Sequence, residues 1–186
     1  EGADIIIGSF SKTFASNGGF IAVRDRATAE YLRYYSATHT FSNALSPVQA
    51  ATVLKALEIV RSDEGRKLRR QLMDNILLLR SEMVAAGLEV LGDPSPIVPV
   101  SLGLEGVGRF ASRNLMALGG IANLVEYPAV PQGAARFRFQ VMASHTADDI
   151  HQVVAILAQA MRDADLEYRL GHEGRVVPVS TATAAA

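Results

Sequence analysis

The chain has 186 residues, 49% of them hydrophobic by a broad count, with a formal charge of −1 and no cysteine. That is enough apolar material for a sizeable core in one or two domains. The balanced charge gives no electrostatic footprint for nucleic acid or a membrane surface, the absence of cysteine excludes disulfides and thiolate metal sites, and no apolar run approaches the roughly 20 residues of a membrane-spanning helix.

Taken in order, Ile5-Ile6-Ile7 reads as a strand that ends at Gly8-Ser9-Phe10-Ser11-Lys12-Thr13-Phe14, with Gly18-Gly19 just behind. One lysine stands among small hydroxyl and glycine residues, and the expectation is a lysine in a pocket wall. An amine whose charged form is disfavoured by desolvation or a neighbouring charge can condense with a carbonyl. Ser9 and Ser11, with backbone N–H groups near glycine, could bind a phosphate without adding charge. Pyridoxal phosphate presents an aldehyde and a phosphate on one small ring and suits both. A solvated loop lysine is the other reading of the same residues. Ser9-Phe10-Ser11-Lys12 also matches S-x-x-K, but the companions K-T-G and S-D-N are absent. A P-loop would need glycine where Ser11 stands.

Residues 20–23 read as a short buried strand, 24–27 as a turn and 28–35 as a helix. Thr38 to Asn43 form a polar segment whose hydroxyls suit local turn bonding. His39 within it has no partner at metal spacing, and no metal site is expected. Ser46 as N-cap with Pro47 at the first helical position starts a helix over 48–61. Ser62-Asp63-Glu64-Gly65 breaks the pattern, and a second helix from about Arg66 carries Leu68, Leu72, Ile76, Leu79 and Met83 as a stripe, ending at Gly87. The basic run Arg66, Lys67, Arg69 and Arg70 reads as a solvated face.

From Leu88 the pattern shortens: strands over 88–91 and 97–102, a helix over 107–118 closed by Gly119-Gly120, and a strand over 121–125. Residues 136–141 alternate, with Phe137, Phe139 and Val141 on one face and Arg136, Arg138 and Gln140 on the other. An arginine on a strand can offer a planar fork to a carboxylate, or sit solvated at the surface. His145 reads as a turn residue. Thr146-Ala147-Asp148-Asp149 resembles a capping box with Asp in its last position, opening a helix over 148–162. Alternating strands and helices here predict a small α+β domain, and 176–186 read as a mobile tail.

Asp4 to Lys12 with Gly18-Gly19-Phe20, together with Arg136-x-Arg138 and Ala143-x-His145-Thr146, resembles two segments of the α-oxoamine synthases among fold-type I pyridoxal-phosphate enzymes. That family includes aminooxononanoate synthase, 2-amino-3-ketobutyrate ligase and serine palmitoyltransferase. Aspartate aminotransferases carry arginine eight residues after the lysine, where this chain has Phe20. The resemblance implies an α/β fold: the C-terminal half of a fold-type I transferase, with the end of a mostly parallel large-domain sheet over 1–60, a small α+β domain over 61–170 and a tail over 171–186. It implies that the chain begins midway through the large domain, with the residues that stack on the cofactor and face its pyridine nitrogen lying outside it.

The same resemblance implies that Lys12 forms the Schiff base and moves protons. Ser9 would bind the cofactor phosphate, Ser42 and Asn43 would reach a partner subunit's phosphate across a homodimer, and Arg138, not Arg136, would grip the amino-acid carboxylate. The implied function is condensation of an amino acid with an acyl-CoA, usually with decarboxylation, in a cytoplasmic enzyme. Transamination, or a non-catalytic piece that keeps the fold, are the alternatives.

Overall fold

The computed structural model describes residues 2–172; the expected tail over 176–186 lies outside them. The chain divides into two compact units, Glu1–Lys67 and Leu68–Ala186.

The first unit opens with β1 (Ile5–Ser9) and β2 (Gly19–Val23), paired antiparallel with Ile5 opposite Val23 and Ser9 opposite Gly19. The expected burial of residues 20–23 is not observed: Phe20 and Ile21 are exposed, as are Ile5, Ile6 and Ile7. A two-stranded ribbon has too few neighbours to bury either face. Helix α1 (Arg26–Tyr35) begins earlier than expected because Asp25 caps it, accepting from the Thr28 N–H and hydroxyl at 2.8 Å each. A four-residue turn of helix, α2 (Ala37–Thr40), occupies a segment that reads as loop in the sequence.

Helix α3 (Pro47–Arg61) has the expected start. Ser46 Oγ accepts from Gln49 N at 3.3 Å, and Gln49 Oε1 accepts from Ser46 N at 3.0 Å, a reciprocal capping box. The break before α4 (Asp63–Ala85) is a single residue, not four. Ser62 ends α3 with its N–H on Ile59 O and starts α4 by accepting from Gly65 N through Oγ. A Cβ at Gly65 would lie 2.2 Å from Ile59 O, so only glycine lets the two helix ends meet this closely.

The second unit holds the core. β3 (Ile97–Gly103), β4 (Asn123–Val125) and β5 (Ala135–Gln140) form an antiparallel sheet in the order β3-β5-β4. Val98 and Val100 of β3, with Phe137 and Phe139 of β5, join Ile76, Leu79 and Met83 of α4 in one buried cluster. The expected strand over 88–91 is reduced to a bridge between Val90 and Val100, since Gly87 and Gly92, both at positive φ, turn the chain on either side.

Helices α5 (Glu105–Ala117) and α6 (Ala147–His172) pack together and share the core through Ala111, Leu115, Leu157, Ala160 and Ala164. The capping box at α6 is present: Thr146 N and Oγ1 both donate to Asp149 Oδ2 at 2.8 Å, and Asp149 N donates to Thr146 Oγ1 at 3.2 Å. Helix α6 continues past Arg162 to His172, and only its last two residues fall in the segment expected over 171–186 as tail. The added turns bury Ala164, pair Glu167 with Arg113 and Asn114, and set Tyr168 against Gly106, whose Cβ would strike that ring at 2.4 Å.

Candidate functional site

The lysine segment is a loop of defined shape that follows β1. Phe10 N donates to Gly18 O at 2.9 Å and Ser16 N to Phe10 O at 2.9 Å, which closes the loop on itself. Within it Ala15 N donates to Lys12 O at 3.0 Å, so Lys12 opens a tight turn. The Phe10 ring lies 5.5 Å from Phe14 and 5.7 Å from Phe20, an aromatic cluster beneath the turn. Ala15 and Gly18 both adopt positive φ, of 50° and 85°. Glycine has no steric cost there, and alanine does.

Ser9 Oγ and Ser11 Oγ lie 2.7 Å apart, and Ser11 N also donates to Ser9 Oγ at 3.2 Å. One hydroxyl proton lies between the two oxygens, and the other remains for a ligand. Glycine recurs beside them because backbone approaches one position and an aromatic ring the other. A Cβ at Gly19 would lie 2.3 Å from Gly8 O, and one at Gly8 would lie 2.1 Å from the Phe20 ring.

Beside this loop the first unit has a cleft of about 930 Å³, and Ser9, Ser42 and Asn43 all line it. Lys12 does not. It is exposed, contrary to its expected place in a pocket wall, because the turn that carries it projects beyond the ribbon's end. Arg33 and His39 line the same cleft. His39 is therefore not only a loop residue, and Arg33 is missed in the sequence because a lone arginine on an amphipathic helix carries no signal. No carboxylate is among the lining residues. The donor set is neutral hydroxyls and amides plus one permanent cation, which favours an anion.

Ser42 Oγ donates to Thr38 O, so its proton is used locally in this arrangement. Ser36 and Thr38 hydroxyls pair at 2.9 Å. The turn-forming reading of this polar segment thus describes its internal bonding, while its outer side lines the cleft. Asn43 has no hydrogen-bond partner among the described residues.

In the second unit Arg138 lies at the centre of β5, with Pro99 opposite on β3 and Asn123 opposite on β4. Phe137 and Phe139 face the core, so Arg138 projects from the other face, where it is half-buried. The two arginines differ in what they hold. Arg136 Nε donates to Ala134 O at 3.2 Å, whereas the Arg138 side chain has no hydrogen bond or ion pair among the described residues. A half-buried guanidinium with no side-chain partner is free to take a ligand carboxylate.

His145 is held as the turn residue it was expected to be: its Nδ1 accepts from Met142 N at 3.3 Å, and Asn75 Nδ2 donates to the carbonyls of Met142 and His145. Glu126 pairs with Arg109 and holds that guanidinium above its ordinary range through a hydrogen bond and charge attraction. No group of metal-ligating side chains occurs among the described residues.

The profile of the aminotransferase class I and II family matches residues 1–157. Among curated relatives, 8-amino-7-oxononanoate synthase of Trichlorobacter lovleyi is 39% identical over 86% of this chain and 40% of its own length. 2-Amino-3-ketobutyrate coenzyme A ligase of Escherichia coli is 38% identical over 81% of this chain and 37% of its own. A solved serine palmitoyltransferase of Sphingomonas wittichii superposes with a TM-score of 0.78 at 25% identity, covering 88% of this chain and 41% of that one. The chain thus spans about two fifths of the length of these relatives.

Proposed function

The chain belongs to the aminotransferase class I and II family, and from that premise we propose that the whole protein is a pyridoxal-phosphate-dependent acyltransferase of the α-oxoamine synthase kind. The resemblance in the Lys12 and Arg138 segments agrees with the names of its relatives. The observation that carries the proposal is local: Lys12 stands three residues after Ser9, the last residue of β1, and Ser9 lines a carboxylate-free cleft together with Ser42 and Asn43.

The residues fit the cofactor. Ser9 offers a neutral donor to a phosphate, Ser42 and Asn43 offer theirs to the phosphate held by a partner subunit, and Lys12 offers the primary amine. When bound, pyridoxal phosphate supplies an aldehyde for an amine and a ring that accepts electron density from the substrate's Cα. In the proposal the fork of Arg138 takes the amino-acid carboxylate and fixes its orientation. Lys12 Nζ then takes the proton from Cα. The carbon left behind attacks the acyl-CoA carbonyl, a C–C bond forms, the C–S bond breaks and coenzyme A leaves as the thiolate, which solvent protonates. In decarboxylating members the carboxylate then leaves as carbon dioxide and Lys12 returns its proton to Cα. We extend the proposal to a cytoplasmic homodimer in which Ser42 and Asn43 serve the partner's phosphate.

Borohydride reduction of the full-length protein with pyridoxal phosphate, followed by peptide mapping, should place the adduct on Lys12. An adduct on another lysine would end the assignment. Lys12→Ala should remove turnover, and Arg138→Ala should raise the amino-acid concentration needed for half-maximal rate. The family name also covers aminotransferases, which gives a second reading. Release of coenzyme A on mixing an amino acid with an acyl-CoA supports condensation; keto-acid-dependent amine exchange without that release supports transamination.

A further inference from the structure

Three strands meet at Arg138, and they do not offer it equal company. On β3 its direct neighbour is Pro99, which has no polar side chain; on β4 it is Asn123. Directly paired antiparallel residues point to the same face, with Cβ atoms about 4.5–5.5 Å apart. The next pair along, Leu124 and Phe137, packs in the core, which fixes Asn123 and Arg138 on the opposite face. Asn123 is exposed, and its side chain, like that of Arg138, has no hydrogen-bond partner among the described residues. Two adjacent donors thus stand unused on one open sheet face.

We propose that Asn123 is a second carboxylate-binding residue, whose side-chain N–H donates to the same substrate carboxylate that Arg138 grips. This rests on the reading of Arg138 given above. A carboxylate has about four acceptor positions, of which a guanidinium fork takes two. The shorter asparagine at the neighbouring position supplies a donor for a third. Its neutrality matters as much as its N–H. An aspartate directly opposite would pair with Arg138 and occupy the fork, whereas an amide leaves the positive charge to the ligand.

The test uses the full-length, cofactor-loaded protein and reads the amino-acid dissociation constant from the absorbance change of the bound cofactor. Asn123→Ala should weaken amino-acid binding about tenfold, the scale of a hydrogen bond to a charged group, without changing the KM for acyl-CoA. Asn123→Asp should weaken it about 100-fold while leaving the melting temperature equal or higher, because a cross-strand ion pair replaces the free fork. Asn123→Gln, which keeps the amide, should recover most of the affinity. If Arg138→Ala weakens binding and neither Asn123→Ala nor Asn123→Asp does, the role of Asn123 is overturned and that of Arg138 stands. If Arg138→Ala leaves binding unchanged, the reading of Arg138 falls and this one with it.

Discussion

The two units use the same kinds of side chain for different ends. Ile5, Ile6 and Ile7 of β1 are 51%, 52% and 76% exposed, whereas Val98 and Val100 of β3 are both at 0%. Both are β-branched runs that propensity sends to strands. What separates them is layering: β3 lies in a sheet whose inner face is closed by α4, α5 and α6, and β1 has only β2 beside it. The first unit carries the lysine, the hydroxyls and the cleft without a buried apolar side chain among the described residues; the second carries a packed core and exposes one strand face with an arginine whose side chain is unpaired. The cleft and the packed core are therefore placed in different parts of the chain.

The sharpest way to break the comparison is to remove one phenylalanine from each unit. Phe137 is fully buried, and Phe137→Ala should cost about 3–5 kcal/mol through lost burial and a residual cavity. Phe20 is 43% exposed and contacts Phe10, so Phe20→Ala should cost about 1 kcal/mol. Chemical denaturation of each variant measures both, and equal losses would refute the contrast. Native-state hydrogen exchange is a finer probe. Amides of β3, β5 and the facing turns of α5 and α6 should open only with the whole second unit, while those of β1 and β2 exchange at least about 100-fold faster.

How much was legible follows from the same contrast. Alternation placed Phe137 and Phe139 inward and Arg138 outward, because a half-buried strand writes its two faces in period two. The stripe Ile76, Leu79, Met83 was legible for the equivalent helical reason. Caps at Ser46 and Thr146 were legible because they use local bonds alone. Three features were not. Burial of residues 20–23 was wrongly expected, since composition reports that a segment can be buried and not what lies against it. The cleft positions of Arg33 and His39 depend on tertiary placement. Helix α6 beyond Arg162 is held by contacts with α5, such as Tyr168 on Gly106, whose partners are distant in sequence. Gly65 reads as a breaker in the sequence, and in the structure it is a close approach of two helix ends. Gly65→Ala forces a Cβ into Ile59 O and should cost about 1–3 kcal/mol, measurable in the same denaturation series as a loss confined to the α3–α4 joint.

The smallest effect lies at the start of α6, in the stable unit, and it is visible through pH. Asp149 accepts from the Thr146 N–H first and the Thr146 hydroxyl second, and these bonds hold its carboxyl below the ordinary value of 3.8, with His145 adding a little attraction. Because the folded-state value is the lower one, the unfolded chain takes up the proton first as pH falls. The stabilisation is therefore complete above pH 3.8 and is lost as pH drops through the folded value beneath it. Thr146→Ala removes the N-cap and should cost about 1 kcal/mol at neutral pH. Asp149→Asn retains an acceptor but no charge, so the acid-induced fall in melting temperature should become shallower than in the parent chain. A parent and an Asn variant with parallel melting curves from pH 6 down to about pH 2.5 would show that the carboxylate contributes nothing through its ionisation. The stability of α6 would then come from its contacts with α5 and the core alone.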